Sequence, residues 1–193
     1  MSVAIAKQPL DDASHCGDEC RCWRSPGRIT LCVIDGLGHG PGAEQAAAAA
    51  AESVGRHVQR PLAEIFTLAD AELRDTRGVA MGVAVIEPAE AKLTYAGVGN
   101  TRAMVVGGRT TVLAGVFGIV GGGYEPLRPQ TVTLELDDLV ILFTDGLAER
   151  IDVSGYDQAL LADADQLAWR ILADWARADD DAAVLVFRNG ENT

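Results

Sequence analysis

Apolar residues along this chain fall into short runs, and the spacing of these runs predicts strands arranged around a few helices. Short apolar segments rich in valine and isoleucine, continuous or alternating with polar residues, are typical of strands. Such segments predict strands at residues 2–6, 28–35, 79–87, 92–99, 101–108, 131–136, 139–145 and 182–187. Glycine is frequent at residues 115–126, which we therefore expect to form a loop.

Three segments have the composition or the periodicity of helices. Residues 43–59 are dominated by alanine, the strongest helix former. Pro61 stands where proline is tolerated, at the start of a second helix over residues 61–76. Residues 165–177 place Leu167, Ile171 and Trp175 on one side of a third helix. Because strands and helices do not alternate regularly, this order favours a layered α+β fold over a doubly wound parallel sheet.

Composition and charge narrow the size, the location and the partners of the protein. The 193 residues are enough for one sizeable core, so we expect a single domain spanning residues 1–193. The net charge of −12 disfavours nucleic acid and anionic membranes as partners and attracts divalent cations. No segment has the roughly 20 apolar residues of a membrane span, and residues 1–10 lack the apolar core of a signal peptide. We therefore expect a cytoplasmic protein whose cysteines are reduced thiols.

Aspartates stand at the ends of three strands that are predicted to be buried. Asp35 and Asp145 each close such a strand and are followed by glycine, and Asp180 and Asp181 come directly before residues 182–187. An Asp-Gly pair after a strand can be an ordinary turn. However, unpaired carboxylates at buried positions are costly unless a cation neutralises them, and oxygen ligands prefer Mg²⁺ or Mn²⁺ to zinc. Two such ions would acidify a water for attack on phosphorus, so the set favours a two-metal hydrolase.

The same segments resemble the PP2C-like (PPM) serine/threonine phosphatases, in particular their bacterial SpoIIE/RsbU/RsbX branch. The segments that carry the resemblance are, in the family's order, CGDEC (16–20), VIDGLGHG (33–40), TRGVAMGVA (76–84), YAGVGNTRA (95–103), FTDGLAE (143–149) and DDDAAVLVF (179–187). They span nearly the whole chain, and their combination is specific although no single segment is. The resemblance implies an αββα sandwich of four layers, in which two antiparallel sheets lie between helices and the metals bind at one edge.

The resemblance also implies a set of metal ligands for two ions, Mn²⁺ or Mg²⁺. Asp35 would bridge the two ions and the carbonyl of Gly36 would complete one coordination sphere. Asp145 and Asp180 would bind the other ion, and Asp18 would contribute from the opposite side, directly or through water. Asp35 and Asp18 are thereby also the principal catalytic residues.

Asp180 is preferred to Asp181 because the family places the ligand three positions before a threonine. Ala183 holds that position in this chain. The lost threonine is a departure from the pattern that affects the tuning of the ligand rather than its charge.

Two further residues are candidates for contact with the substrate. His39 lies four residues after Asp35 and could donate a proton to the leaving group, or it could cap the following helix. Asn100 could bind substrate, although a tight turn between strands would explain it equally well. Within the branch, the chain looks most like RsbX-type enzymes, which implies a monomer that dephosphorylates serine or threonine of STAS-domain proteins of the stressosome.

Three other hypotheses compete with this one. A non-catalytic docking module on the same fold would keep the sandwich without turnover. Residues 38–43 (GHGPGA) fit the dinucleotide fingerprint G-x-G-x-x-A between a strand and a helix, but a second helix follows where a return strand is needed. A zinc site could be built from His15, Cys16, Cys20 and Cys22, although their spacing is poor.

Overall fold

The protein is built from twelve strands and four helices, and a computed structural model describes residues 1–10 and 14–190. The strands are β1 (Ser2–Gln8), β2 (Asp18–Ser25), β3 (Arg28–Gly36), β4 (Val79–Glu87), β5 (Lys92–Val98), β6 (Arg102–Val106), β7 (Thr110–Ala114), β8 (Gly118–Ile119), β9 (Gly123–Tyr124), β10 (Gln130–Thr133), β11 (Leu139–Phe143) and β12 (Ala182–Arg188). The helices are α1 (Pro41–His57), α2 (Leu62–Glu72), α3 (Gln158–Ala162) and α4 (Ala164–Trp175).

Ten of these strands form two five-stranded sheets. The first sheet has the order β1-β12-β11-β6-β7 and the second has the order β10-β5-β4-β3-β2. The neighbouring strands of both sheets pair antiparallel. The short strands β8 and β9 form a separate hairpin.

Three apolar cores hold the layers together. The first lies between the two sheets and includes Leu31, Tyr95 and Phe187. The second lies between α1, α2 and the second sheet, and the third lies between α4 and the first sheet. The layers therefore run helix, sheet, sheet, helix, which is the sandwich that the sequence predicts.

The alanine content of α1 sets how closely this helix can approach its sheet. The buried face of the helix consists mainly of small residues, among them Ala46, Ala47 and Ala50. Pro41 stands at the first helical position, where its missing N–H has no partner to lose. Within the described residues, none of the helices has both the length and the apolar character that a bilayer span requires.

The sequence predicts every strand that lies inside one of the two five-stranded sheets, and the two strands of these sheets that it misses, β2 and β7, lie at their edges. Most residues of β2 are polar or charged, and β7 has a single buried residue, so neither segment shows the apolar pattern of a strand. The five-residue α3 is too short to show a helical period. The predicted loop at 115–126 contains the β8–β9 hairpin, and the predicted strand at 131–136 is shortened to Gln130–Thr133.

The dinucleotide hypothesis is wrong because the strand that follows α1 and α2 does not return parallel. β4 pairs antiparallel with β3, with Asp35 opposite Ala80. A dinucleotide site needs a parallel βαβ unit, in which the pyrophosphate binds at the crevice between two parallel strands. The glycines of residues 38–43 serve instead to turn the chain from β3 into α1.

Candidate active site

The topology brings four of the predicted aspartates to one end of the sandwich. Asp18 begins β2 and lies directly opposite Asp35, which is near the end of β3. In the other sheet, Asp145 follows β11 and Asp180 precedes β12, and these two strands are antiparallel neighbours. The end of β11 therefore lies beside the start of β12, and the two pairs of carboxylates face each other across the gap between the sheets.

Thr144 connects the two sheets at this end. Its hydroxyl donates a hydrogen bond to Asp18 Oδ2 at 2.6 Å and accepts one from the N–H of Ala183 at 2.9 Å. The side chain is fully buried. The sequence analysis did not identify this residue, although a hydroxyl side chain at the end of the apolar run Leu139–Phe143 was a signal that could have found it.

The adjacent aspartates 180 and 181 have different environments. Asp181 is 4% exposed, and its two oxygens accept the backbone N–H groups of Leu10 at 2.7 Å and Gly17 at 2.6 Å. Asp181 therefore fastens the segment before β2 to the start of β12. Asp180 is exposed, and its Oδ1 accepts the N–H of Asp181 at 2.9 Å.

The glycines after Asp35 and Asp145 are required by close backbone packing. A Cβ atom on Gly36 would overlap the carbonyl group of Ala43 in the first turn of α1. A Cβ atom on Gly146 would overlap the carbonyl oxygen of Asp181. The glycine of each Asp-Gly pair thus allows the turn that carries the aspartate to pack against a neighbouring element.

The carboxylates at this end raise each other's pKa. Burial raises the pKa of Asp35 from 3.8 to about 7, and the negative charge of Asp145 adds to the effect. A hydrogen bond from Asn100 Nδ2 to Asp35 Oδ2, at 3.2 Å, acts in the opposite direction. Burial and then the charge of Asp35 raise the pKa of Asp18 well above its usual value, against the hydrogen bond from Thr144. The site therefore concentrates negative charge that the protein does not offset.

No arginine, lysine or histidine forms an ion pair with these four aspartates in the part of the chain that the structure describes. Burial and the charge of Asp145 also raise the pKa of Asp180. Hard divalent cations fit such a set, because every donor is an oxygen and the missing element is positive charge. Across residues 1–10 and 14–190, however, no three His, Cys, Asp or Glu side chains are already arranged around one ion position.

The two candidate substrate contacts are placed differently. Asn100, in the turn between β5 and β6, contacts Asp35 directly through the hydrogen bond described above. His39 is exposed in the loop between β3 and α1, and its backbone carbonyl accepts a hydrogen bond from Arg77 Nη1 at 3.2 Å. His39 therefore lies on the loop that follows Asp35 and β3. Asn100, in contrast, is part of the polar network around Asp35.

The cysteines and His15 do not come together as a zinc site. Among residues 1–10 and 14–190, these candidate ligands form no group that could hold a metal ion, and the side chain of Cys20 is buried in the core between the sheets. His15 Nδ1 instead contacts Glu44 Oε2 at 2.6 Å. Burial raises the pKa of the Cys16 thiol to about 11, which disfavours the thiolate that zinc requires. The cysteines are free thiols, as the sequence analysis expects.

Comparison with known proteins identifies relatives of this chain. Residues 25–189 match the family model described as "Stage II sporulation protein E (SpoIIE)". A curated relative, the phosphoserine phosphatase RsbX of Bacillus subtilis (strain 168), is 26% identical over 136 residues, which are 69% of this chain and 68% of the relative.

Two solved structures have the same fold over nearly the full chain. One, from a study titled "The bacterial stressosome: a modular system that has been adapted to control secondary messenger signaling", has a TM-score of 0.86 and 31% identity and covers 95% of this chain and 97% of its own. The other, RsbX in complex with magnesium, has a TM-score of 0.80 and 21% identity and covers 96% and 94%.

The family match, the curated relative and the shared fold define the class as the PP2C-like bacterial serine/threonine phosphatases, which are hydrolases. Because the family model matches most of its length, the chain belongs to the SpoIIE family. The family resemblance that the sequence analysis drew from six short segments is thereby confirmed.

Proposed function

We propose that this chain is a metal-dependent protein phosphatase that hydrolyses phosphoserine and phosphothreonine with two Mn²⁺ or Mg²⁺ ions. The observation that carries the proposal is the group of four aspartates at one end of the sandwich, whose carboxylates form no ion pair with a cationic side chain among the described residues. The magnesium complex of RsbX, which has the same fold, supports the choice of a hard divalent cation.

In this proposal, Asp35, Asp145 and Asp180 hold the ions together with the Gly36 carbonyl, and Asp18 contributes from the opposite strand. Bound ions supply the charge that offsets the phosphoryl oxygens and lower the pKa of a bound water. The hydrogen bond from Asn100 keeps Asp35 oriented, and the hydroxyl of Thr144 does the same for Asp18. His39, which is exposed in the loop after β3, is the candidate to give a proton to the leaving alkoxide of the substrate.

Hydrolysis of p-nitrophenyl phosphate tests this function. We expect turnover with millimolar Mn²⁺, loss of turnover in EDTA, and a decrease of at least about a hundred-fold in kcat/KM for Asp35→Asn, because one carboxylate would serve both ions. Asp75→Asn removes the same charge from an exposed position after α2 and should keep wild-type activity. Turnover that persists in EDTA, or that survives the Asp35 substitution, would contradict the mechanism.

For the physiological substrate, we propose a phosphorylated STAS-domain protein of a stressosome. The support is the similarity to RsbX and to the stressosome structure, whose chain is 31% identical to this one. The test is release of phosphate from a phosphorylated STAS-domain protein, compared with a phosphorylated protein of another fold at equal concentration. Equal kcat/KM for both substrates would refute the assignment while leaving the phosphatase chemistry intact.

A further inference from the structure

A cavity of about 450 Å³ opens directly beside the candidate acids. One side of it is polar and includes Asp35 and Asn100, which belong to the site described above. The other side is largely apolar and carries Leu37, Val116 and Phe117. The complete lining of the cavity consists of Asp35, Leu37, Ala80, Gly99, Asn100, Arg102 and residues 115–119. We call it the flanking groove.

The apolar side of the flanking groove is exposed to an unusual degree. Six large apolar side chains are exposed in the described part of the chain, and two of them, Leu37 and Phe117, line this one cavity. Phe117 is 86% exposed and Leu37 is 43% exposed. Large apolar groups at the edge of a polar site are a common feature of surfaces that bind another molecule.

The backbone holds Phe117 in this exposed position. The N–H of Val116 donates to the carbonyl of Gly97, and the N–H of Gly99 donates to the carbonyl of Val116, both at 2.9 Å. The carbonyl of Phe117 accepts the N–H of Glu125, also at 2.9 Å. Because hydrogen bonds fix the chain on both sides, the aromatic ring is presented by an ordered segment, which lowers the entropic cost of binding.

We propose that the flanking groove binds a large apolar side chain of the substrate polypeptide, located within a few residues of the phosphorylated serine or threonine. This inference rests on the proposed phosphatase function. The choice of occupant follows from continuity, because Asp35 and Asn100 border both the acid cluster and the groove. A polypeptide whose phosphate reaches Asp35 lies beside the flanking groove, and the apolar residues there, Leu37, Val116 and Phe117, are complementary to an aliphatic or aromatic side chain.

Synthetic phosphoserine peptides provide the test. The reference peptide has alanine at all flanking positions, and in the others a single leucine replaces alanine at each of the three positions before and after the phosphoserine in turn. With Mn²⁺ and the wild-type chain, we expect leucine at one or two of these positions to raise kcat/KM about ten-fold over the reference peptide. Phe117→Ala and Leu37→Ala should each reduce this ratio to about three or less.

Matched controls are available elsewhere on the surface. Trp169 and Leu136 are also large and exposed, at 58% and 61%, and neither lines the flanking groove. Trp169→Ala and Leu136→Ala should keep the wild-type ratio. Circular dichroism melts should show that all four variants remain folded, because each of the replaced side chains is exposed.

Different outcomes identify different failures. A wild-type ratio near one at every position, or a ratio that Phe117→Ala leaves unchanged, would overturn the flanking groove while leaving the phosphatase function in place. Absence of Mn²⁺-dependent phosphate release from every peptide and from p-nitrophenyl phosphate would overturn the proposed function, and the groove with it. If sedimentation shows a wild-type dimer that Phe117→Ala converts to a monomer, the groove binds a second copy of the chain and the proposal is wrong.

Discussion

Replacing Asp35 by asparagine should stabilise the protein in EDTA at neutral and alkaline pH and should have little effect on its stability in acid. The folded state keeps the proton of Asp35 up to about pH 7, whereas an unfolded aspartate loses it near 3.8. Between these values folding takes up a proton, so the stability of the wild-type protein decreases as the pH rises through this window and then levels off. Asparagine is neutral throughout and lacks this contribution.

The magnitude follows from the two pKa values. A difference of about three pH units corresponds to roughly 4 kcal/mol at 1.4 kcal/mol per unit. We expect about half of this, ~2 kcal/mol, because Asp35 is only partly buried and solvent screens its repulsion from Asp145. For a chain of this size, such a gain corresponds to an increase in Tm of about 4–8 °C.

The assay is a series of thermal melts in EDTA from pH 4 to 8.5, in which the Tm difference between variant and wild type is plotted against pH. This difference removes the contributions of groups that titrate equally in both proteins. Asp75→Asn, at an exposed position, serves as the control for a change in net charge and should show a difference near zero at all pH values. A Tm difference for Asp35→Asn that is constant across the range, or that favours the wild type above pH 7, would refute the argument from clustered carboxylates.

The remaining predictions concern the residues that hold the site in place. Thr144→Val leaves Asp18 Oδ2 and the N–H of Ala183 without their buried partner. We therefore expect the free energy of unfolding, measured in urea, to decrease by about 2–5 kcal/mol. Thr144→Ser keeps the hydroxyl and should decrease it by about 1 kcal/mol. Equal losses for the two variants would contradict the hydrogen-bonding role. Gly146→Ala forces a methyl group against the carbonyl oxygen of Asp181, so we expect a loss of at least about 2 kcal/mol in the same assay, and a wild-type urea midpoint would show that the turn can move freely.

Much of the architecture follows from local patterns. The apolar runs that form β3, β4, β11 and β12 are buried along almost their whole length, so the sequence itself marks them as central strands. Edge strand β2 was missed because polar and charged residues, among them Asp18, Glu19, Arg21 and Arg24, interrupt its apolar pattern.

The candidate site was predictable in its residue types and not in its network. Asp35 and Asp145 could be selected because an acid at the end of a buried strand is unusual, whereas the choice of Asp180 over Asp181 came from the family resemblance. Thr144 and Asp181 were not selected, because their importance lies in partners that are far along the chain. Asp18 is 126 residues from Thr144, and Gly17 is 164 residues from Asp181.

The sequence by itself determined that this chain folds into strands and helices around apolar faces, and that aspartates follow or precede the most apolar strands. Tertiary structure alone decided that β3 and β11, from different sheets, present their ends at the same side of the sandwich. It also decided that one of two adjacent aspartates binds backbone N–H groups while the other is open. The physical reason is that burial and charge repulsion depend on distances between segments, and these distances exist only after the two sheets have packed against each other.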